Sequence, residues 1–362
     1  MKEQYNQRLD KIEALIDHWL PNEANKDWFS SVFPGGYSVN DKLTGSIITP
    51  PWDLLKRGGK RWRPLLMLLS AGAISGERGE NFALDLVPLV EFPHNASLIH
   101  DDIEDNSTER RGKAAVHLIY GMDTAINAGS FMYFLPLACL SAWQGAKDHP
   151  ELKERIWDIW GAHMRALHLG QAMDIVWHRD FYSLPEIDEY DRMCRLKTGC
   201  LASLAAVLGI HMGFALLEPS LIETGSAFNL DKTVRDFGQA AEQLGVGFQI
   251  LDDVKNLTSG VPGKKRGDDI VEGKKSLPIL LYLHRYPEKM DFVASCFSSA
   301  RAGGTEAGEV EDLIASLEQA GVLGEAKNKG LEYINSCKET FSALSLDNSG
   351  RSLLLGLVDL LL

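Results

Sequence analysis

The residues best suited to chemistry lie within positions 92–117, FPHNASLIHDDIEDNSTERRGKAAVH, where Asp101, Asp102, Glu104 and Asp105 run ahead of Arg110 and Arg111. Read as a helix, the segment places Asp101 and Asp105 at i and i+4 on one face, Asp102 beside them and His94 two turns earlier on the same stripe. Carboxylates stacked this closely repel one another, and a divalent cation would relieve the repulsion. Hard Mg²⁺ fits best, since it binds through one or two carboxylates and leaves its other positions to water and phosphate oxygens. An isolated run of this kind reads equally as a solvated acidic helix end.

A second acidic run favours the chemical reading. FQILDDVKN at residues 248–256 repeats the i, i+4 spacing with Asp252 and Asn256, with Asp253 adjacent and Gln249 one turn earlier. It is followed by GKKRGDDIVEGKKSLP at residues 263–278, whose glycine-spaced Lys264 and Lys274 could close over a bound polyanion. Two such helices facing each other would surround several metal ions with carboxylates.

These runs, with GGKRWRP at residues 58–64, RRG after the first acidic run and KTG at residues 197–199, resemble in type and order the motifs of the trans-isoprenyl diphosphate synthases, over roughly residues 54–345. The resemblance implies an all-α fold: a single large antiparallel helical bundle with a deep central cavity and the two acidic motifs facing each other near its mouth. It also implies a homodimer. The implied reaction condenses isopentenyl diphosphate with an allylic diphosphate, with Mg²⁺ as cofactor at about three ions per site. Asp101, Asp105 and Asp252 match the metal ligands, with Asp102, Asp253 and Asn256 acting through water or orienting their neighbours. Arg110, Lys197 and Lys264 match ligands of the allylic diphosphate, and Lys274 matches an outer phosphate contact. Thr198 and Gln249 face the carbon where positive charge develops. Lys60, Arg63, His94 and Arg111 would hold the isopentenyl diphosphate without metal, arginine's planar fork being suited to phosphate oxygens.

The resemblance implies that product length depends on the pocket beneath the first motif. Ala96 and Ser97 are small and leave room for a tail longer than three isoprene units. INAGSFMYFLPL at residues 126–137 and ALHLGQAMDIVW at residues 166–177 resemble the eukaryotic-type geranylgeranyl diphosphate synthases, in which residues matching Tyr133, Phe134 and His168 form the pocket floor. A C20 product is the expectation, although Tyr133 and Phe134 also read as ordinary helix-core aromatics. The chain departs from the family at Pro93, immediately before His94, where a mid-helix proline costs about 3 kcal/mol or a kink. It departs also at Thr108-Glu109 and in the length of its N-terminal region.

The elements that must position these residues are helical. The chain has 362 residues, 45% hydrophobic and 24% charged, enough for a sizeable core. Its net charge of −13 argues against nucleic acid as a partner. Five cysteines without CxxC spacing indicate neither a disulfide framework nor a zinc site and fit a reducing, cytoplasmic compartment. Leu9, Ile12, Leu15, Ile16 and Trp19 give the N-terminus an amphipathic outer helix rather than a signal peptide. Residues 21–52, with Gly35-Gly36 and Pro50-Pro51, read as an irregular connector or arm, so the division is 1–52 and 53–362. Residues 199–217 carry no Asp, Glu, Lys or Arg, yet their small residues and His211 suit a central helix packed on all sides better than a membrane span. The final SLLLGLVDLLL is too short to span and would pack on the body or on a second subunit.

Two other functions share parts of this pattern. A class I terpene cyclase has the aspartate-rich motif and the helical fold, but GGKRWRP, the second aspartate run and the lack of an N-D-x-x-S-x-x-x-E pattern count against it. A non-catalytic subunit of a heteromeric synthase typically loses one acidic motif, and both are intact.

Overall fold

Apolar residues at helical spacing carry the chain into helices almost from end to end. The computed structural model describes residues 2–33, 41–217, 229–260, 265–343 and 348–362. In chain order the helices are α1 (Lys2–Trp19), α2 (Lys26–Val32), α3 (Asp41–Lys56), α4 (Trp62–Leu84), α5 (Pro88–Glu104), α6 (Val116–Tyr120), α7 (Met122–Ala142), α8 (Pro150–Arg179), α9 (Ile187–Cys194), α10 (Cys200–Phe214), α11 (Leu230–Leu257), α12 (Asp268–Glu272), α13 (Leu277–Arg285), α14 (Met290–Gly303), α15 (Gly308–Gln319), α16 (Val322–Ala343) and α17 (Asn348–Leu361). Among the described residues the only sheet is a two-stranded antiparallel ribbon, β1 (Glu109–Arg110) with β2 (Lys113–Ala114).

The uncharged stretch forms α10, buried along its whole length and packed against α4, α5, α8 and α11. Among the described residues two segments are long and apolar enough to cross a membrane by length and composition, Met122–Ala142 and Ile187–Phe214; the second is 78% buried over its most apolar window, as a core helix is. Outside this centre, α5 packs on α7 and α11 on α16, so both acidic motifs lie on helices fixed from behind. All five cysteines are buried free thiols.

One expectation about proline is corrected. Residues 41–56 are helical through Pro50-Pro51 rather than irregular, and Ile48, Leu54 and Leu55 are buried there at no more than 1% exposure. Each buried aliphatic side chain contributes about 1.5–3 kcal/mol, which offsets the loss at the prolines. Pro93 likewise sits inside α5 without ending it. The carbonyl that would have accepted its missing N–H is that of Leu89, and the Trp160 indole Nε1 donates to it at 3.1 Å.

Candidate active site

The first acidic motif occupies the last turn of α5. Asp101 accepts from Lys197 Nζ at 3.1 Å and from Gln171 Nε2 at 3.0 Å, and Gln171 also donates to Glu104 at 2.7 Å. Lys197 reaches Asp174 as well, at 2.6 Å, so it bridges two carboxylates. Burial works against its charge, but Asp101 and Asp174 hold its pKa above the ordinary lysine value. Sequence reasoning misses Asp174 and Gln171 as site residues. Their only signal is their position one helical turn apart in an otherwise apolar part of α8.

Arg110 donates to buried Asp102 through both Nε, at 2.8 Å, and Nη2, and its Nη2 is 3.6 Å from Asp101. Its guanidinium therefore neutralises the first motif while also lining the cavity. Asp105 lies deeper, its side chain fully buried and its oxygens approached by Lys274 Nζ at 3.1 Å and His178 Nδ1 at 3.6 Å. Among the described residues neither oxygen accepts a well-formed hydrogen bond. Burial pushes this carboxyl up to about 7 despite Lys274.

Lys197 and Thr198 stand in a π-helical turn, Arg195–Gly199, inserted between α9 and α10. Gly170 lets α8 approach this turn, since a Cβ there would lie 2.7 Å from the Leu196 carbonyl carbon. Thr198 Oγ1 donates to Gln249 Oε1 at 2.9 Å, and Gln249 Nε2 donates to Asp253 at 2.7 Å. Asp253 is buried and also accepts from the Tyr190 hydroxyl at 3.0 Å; burial, then the charge of Asp269, pushes its carboxyl up to about 8. Asp252, its neighbour, lines the cavity. Asn256 instead accepts from the Asp269 N–H at 3.2 Å, fastening the loop that follows. Lys264 lies outside the described residues.

The opposite wall is cationic. Lys60 extends its ammonium 5.5 Å from the Phe248 ring centroid, and the Arg63 guanidinium lies 4.3 Å from that of Trp62. Arg63 Nη1 is 3.3 Å from His94 Nε2, while Arg63 Nε is buried without a hydrogen-bond partner among the described residues. Burial first, then Arg63 and Arg111, keeps His94 well below the usual histidine value. Neutral His94 accepting at Nε2 carries its proton on Nδ1. Arg111 and Gly112, at φ +53° and +74°, form the two-residue connection of the ribbon, as a type I′ hairpin turn requires. Arg111 Nη1 donates to the Leu54 carbonyl at 3.1 Å, and burial lowers Arg63 and Arg111 each to about 10. The third arginine nearby, Arg61, is occupied by Glu13, Glu91 and the Leu55 carbonyl.

Both walls face one cavity of about 910 Å³. Lys60, Arg63, His94 and Arg111 line it together with Asp101, Arg110, Lys197, Thr198, Gln249, Asp252 and Lys274; Ser97, Leu98, Leu167 and Leu201 extend it as an apolar recess. Ala96 and Tyr133 are buried and are not among the lining residues, the Tyr133 ring standing 5.1 Å from His168 and 5.7 Å from His100. Phe134, expected on the pocket floor, is instead 65% exposed on the outer face of α7. Adjacent residues on a helix diverge by about 100°, so Tyr133 and Phe134 cannot share one face. His168 is also exposed.

Among the described residues no three His, Cys, Asp or Glu side chains converge as a ready ligand set. The donors nonetheless suit a hard divalent ion. Asp101 and Asp252 line one cavity from two helices, Asp105 is buried outside that lining and lacks hydrogen bonds among the described residues, and Mg²⁺ is ordinarily held by one or two carboxylates plus phosphate oxygens rather than by an all-protein cage.

The polyprenyl synthetase family model matches residues 46–317. A geranylgeranyl diphosphate synthase of Methanosarcina mazei is 31% identical over 312 residues, 84% of this chain and 86% of that protein. A geranylfarnesyl diphosphate synthase of Aeropyrum pernix is 29% identical, covering 95% and 98%. The crystal structure of geranylgeranyl pyrophosphate synthetase from Pyrococcus horikoshii superposes with a TM-score of 0.78 at 25% identity, covering 99% and 98%.

Proposed function

The chain belongs to the polyprenyl synthetase family and is a trans-prenyltransferase; we propose that it joins isopentenyl diphosphate to allylic diphosphates and stops at the C20 product, geranylgeranyl diphosphate. One observation carries this reading. A single cavity is lined both by Lys60, Arg63 and Arg111 with neutral His94, and by Asp101 and Asp252 interleaved with Lys197, Arg110 and Lys274. The first suits a diphosphate held without metal, the second a diphosphate held with it. A terpene cyclase has no use for the first.

When bound, Mg²⁺ would supply positive charge against the departing pyrophosphate, and Asp101, Asp105 and Asp252 are the residues we assign to hold it. Lys197, Arg110 and Lys274 provide fixed cations for the same charge. Thr198 and Gln249, locked together by their hydrogen bond, present oxygen lone pairs toward positive charge developing on the allylic carbon. Arg63, Arg111, His94 and Lys60 orient the isopentenyl group so that its double bond attacks that carbon. Proton loss from the adduct, for which we assign the departed pyrophosphate as base, gives the lengthened allylic diphosphate.

The apolar recess past Ser97 receives the growing tail, and Tyr133 behind it, flanked by His100 and His168, is the stop. The Methanosarcina relative supports C20, and the Aeropyrum relative makes C25 the competing length. Exposed Met122, Ile126 and Phe134 on α7, with Leu169 and Val176 on α8, form an apolar outer surface that we assign to a homodimer contact. We place the enzyme in the cytoplasm, where five free thiols persist.

Pyrophosphate release separates the readings. With Mg²⁺ and a C15 allylic diphosphate, release should require isopentenyl diphosphate; release without it would replace elongation by cyclisation.

A further inference from the structure

Lys275 is 2% exposed and borders the cavity, yet among the described residues no carboxylate lies within ion-pair distance of it, Asp180 acting only from farther away. Its ammonium donates to the Phe181 carbonyl at 3.2 Å and lies 4.6 Å from the Phe297 ring centroid and 5.9 Å from that of Phe181. A buried cation held by one carbonyl and two aromatic faces is costly to keep, so its position calls for a use.

Arg301, on α14, completes the arrangement. Its guanidinium lies 4.4 Å from the Phe181 ring centroid, and Nη2 donates to the carbonyls of His178 at 3.1 Å and Glu272 at 2.7 Å. Two chain segments are thereby joined: the C-terminal end of α8, which carries Gln171, Asp174 and His178, and the turn after α12, which carries Lys274. Gly273 occupies that turn at φ +78°, and a Cβ there would stand 2.8 Å from Phe181 Cε1 and 3.1 Å from the His178 carbonyl oxygen. The two segments therefore touch with no space between them. One residue further on, Lys274 Nζ reaches Asp105 at 3.1 Å and Glu272 at 2.5 Å, while His178 approaches Asp105 from the other segment at 3.6 Å.

We propose that Lys275 and Arg301 are positioning residues: gripping the Phe181 ring and backbone between them, they fix the α8 terminus against the Gly273 turn and so set Lys274 and His178 on Asp105. They act first on the allylic diphosphate side of the cavity, because Lys60 and Arg63 stand before and on α4, Arg111 in the ribbon turn, and His94 about three turns from Asp105 along α5. This inference rests on the prenyltransferase reading for the identity of the anion, but not for the coupling between the two segments.

The test uses Lys275→Met, which keeps length and removes the charge, and Arg301→Met, with Arg301→Lys as the conservative variant. Calorimetry measures binding of inorganic pyrophosphate with Mg²⁺ to the full chain, thermal unfolding reports stability, and kinetics with each substrate varied gives separate KM values. The expected result is a five- to twenty-fold weaker pyrophosphate affinity and a matching rise in the allylic KM. The isopentenyl KM should stay unchanged, the thermal midpoint of Lys275→Met should stay near that of the parent, and Arg301→Lys should recover part of the loss. Unchanged pyrophosphate affinity, or both KM values rising together with a lower midpoint, would overturn the proposal and leave only a structural role. A parent chain that binds pyrophosphate but elongates nothing would count against the functional reading and not against the clamp.

Discussion

The indole of Trp160 donates to the carbonyl of Leu89 at 3.1 Å, the carbonyl that Pro93 leaves without its helical partner. Because Leu89 is fully buried, water cannot substitute for that bond. Trp160→Phe keeps most of the ring volume and strands the carbonyl, which should cost about 1–3 kcal/mol and lower the thermal midpoint by several degrees. In a Pro93→Ala background the restored backbone N–H can bond to the Leu89 carbonyl itself, so the same substitution should cost measurably less. Equal costs in both backgrounds, read as a double-mutant cycle, would refute this coupling.

His94 couples stability to pH. Its pKa is depressed in the fold by burial and by Arg63, so below the unfolded value of about 6.5 the unfolded chain binds a proton that the native chain refuses. The stability contribution is complete above that pH and falls as pH drops through it, by up to about 1.4 kcal/mol per pH unit. His163, His178 and His211 are depressed in the same direction and add to the slope. His94→Gln should flatten the dependence between pH 6.5 and 5 without abolishing it, as denaturant unfolding at a series of pH values will report; an unaltered slope would show that His94 titrates normally.

Arg63 tests the proposal that the two substrates are held by different residues. Its Nε is buried in the cationic wall without a partner among the described residues, and losing a charge-assisted contact costs about 1.5–3 kcal/mol. Arg63→Met should raise the isopentenyl KM roughly ten- to a hundred-fold while moving the allylic KM by less than about threefold. Equal changes in both would mean that the wall does not discriminate.

On the outer face of α7, Ile126 and Phe134 are 46% and 65% exposed. Paired Ile126→Glu and Phe134→Glu substitutions should convert a homodimer into monomers by light scattering, with a folded helical spectrum. A parent chain that is already monomeric would remove the assigned contact.

Asp101 and Asp252 are legible as cavity-lining residues because their spacing is local, and α10 because its lack of charge admits few other placements. Asp174 is not, since its partner Lys197 is distant in sequence and its own surroundings are apolar. Helix α7 is apolar on nearly every side, so periodicity cannot separate inward Tyr133 from outward Phe134. Pro50-Pro51 mislead because their local cost is certain in sequence, whereas the burial of Leu54 and Leu55 that offsets it comes from packing with distant parts of the chain.

The most direct measurement is chromatography of the products formed from isopentenyl diphosphate and a C15 allylic diphosphate with Mg²⁺. The account predicts a C20 product that accumulates without further elongation, is lost in Asp101→Ala, and gives way to longer chains in Tyr133→Ala. An isopentenyl diphosphate pool left unconsumed, or a product distribution that Tyr133→Ala leaves unchanged, would contradict it.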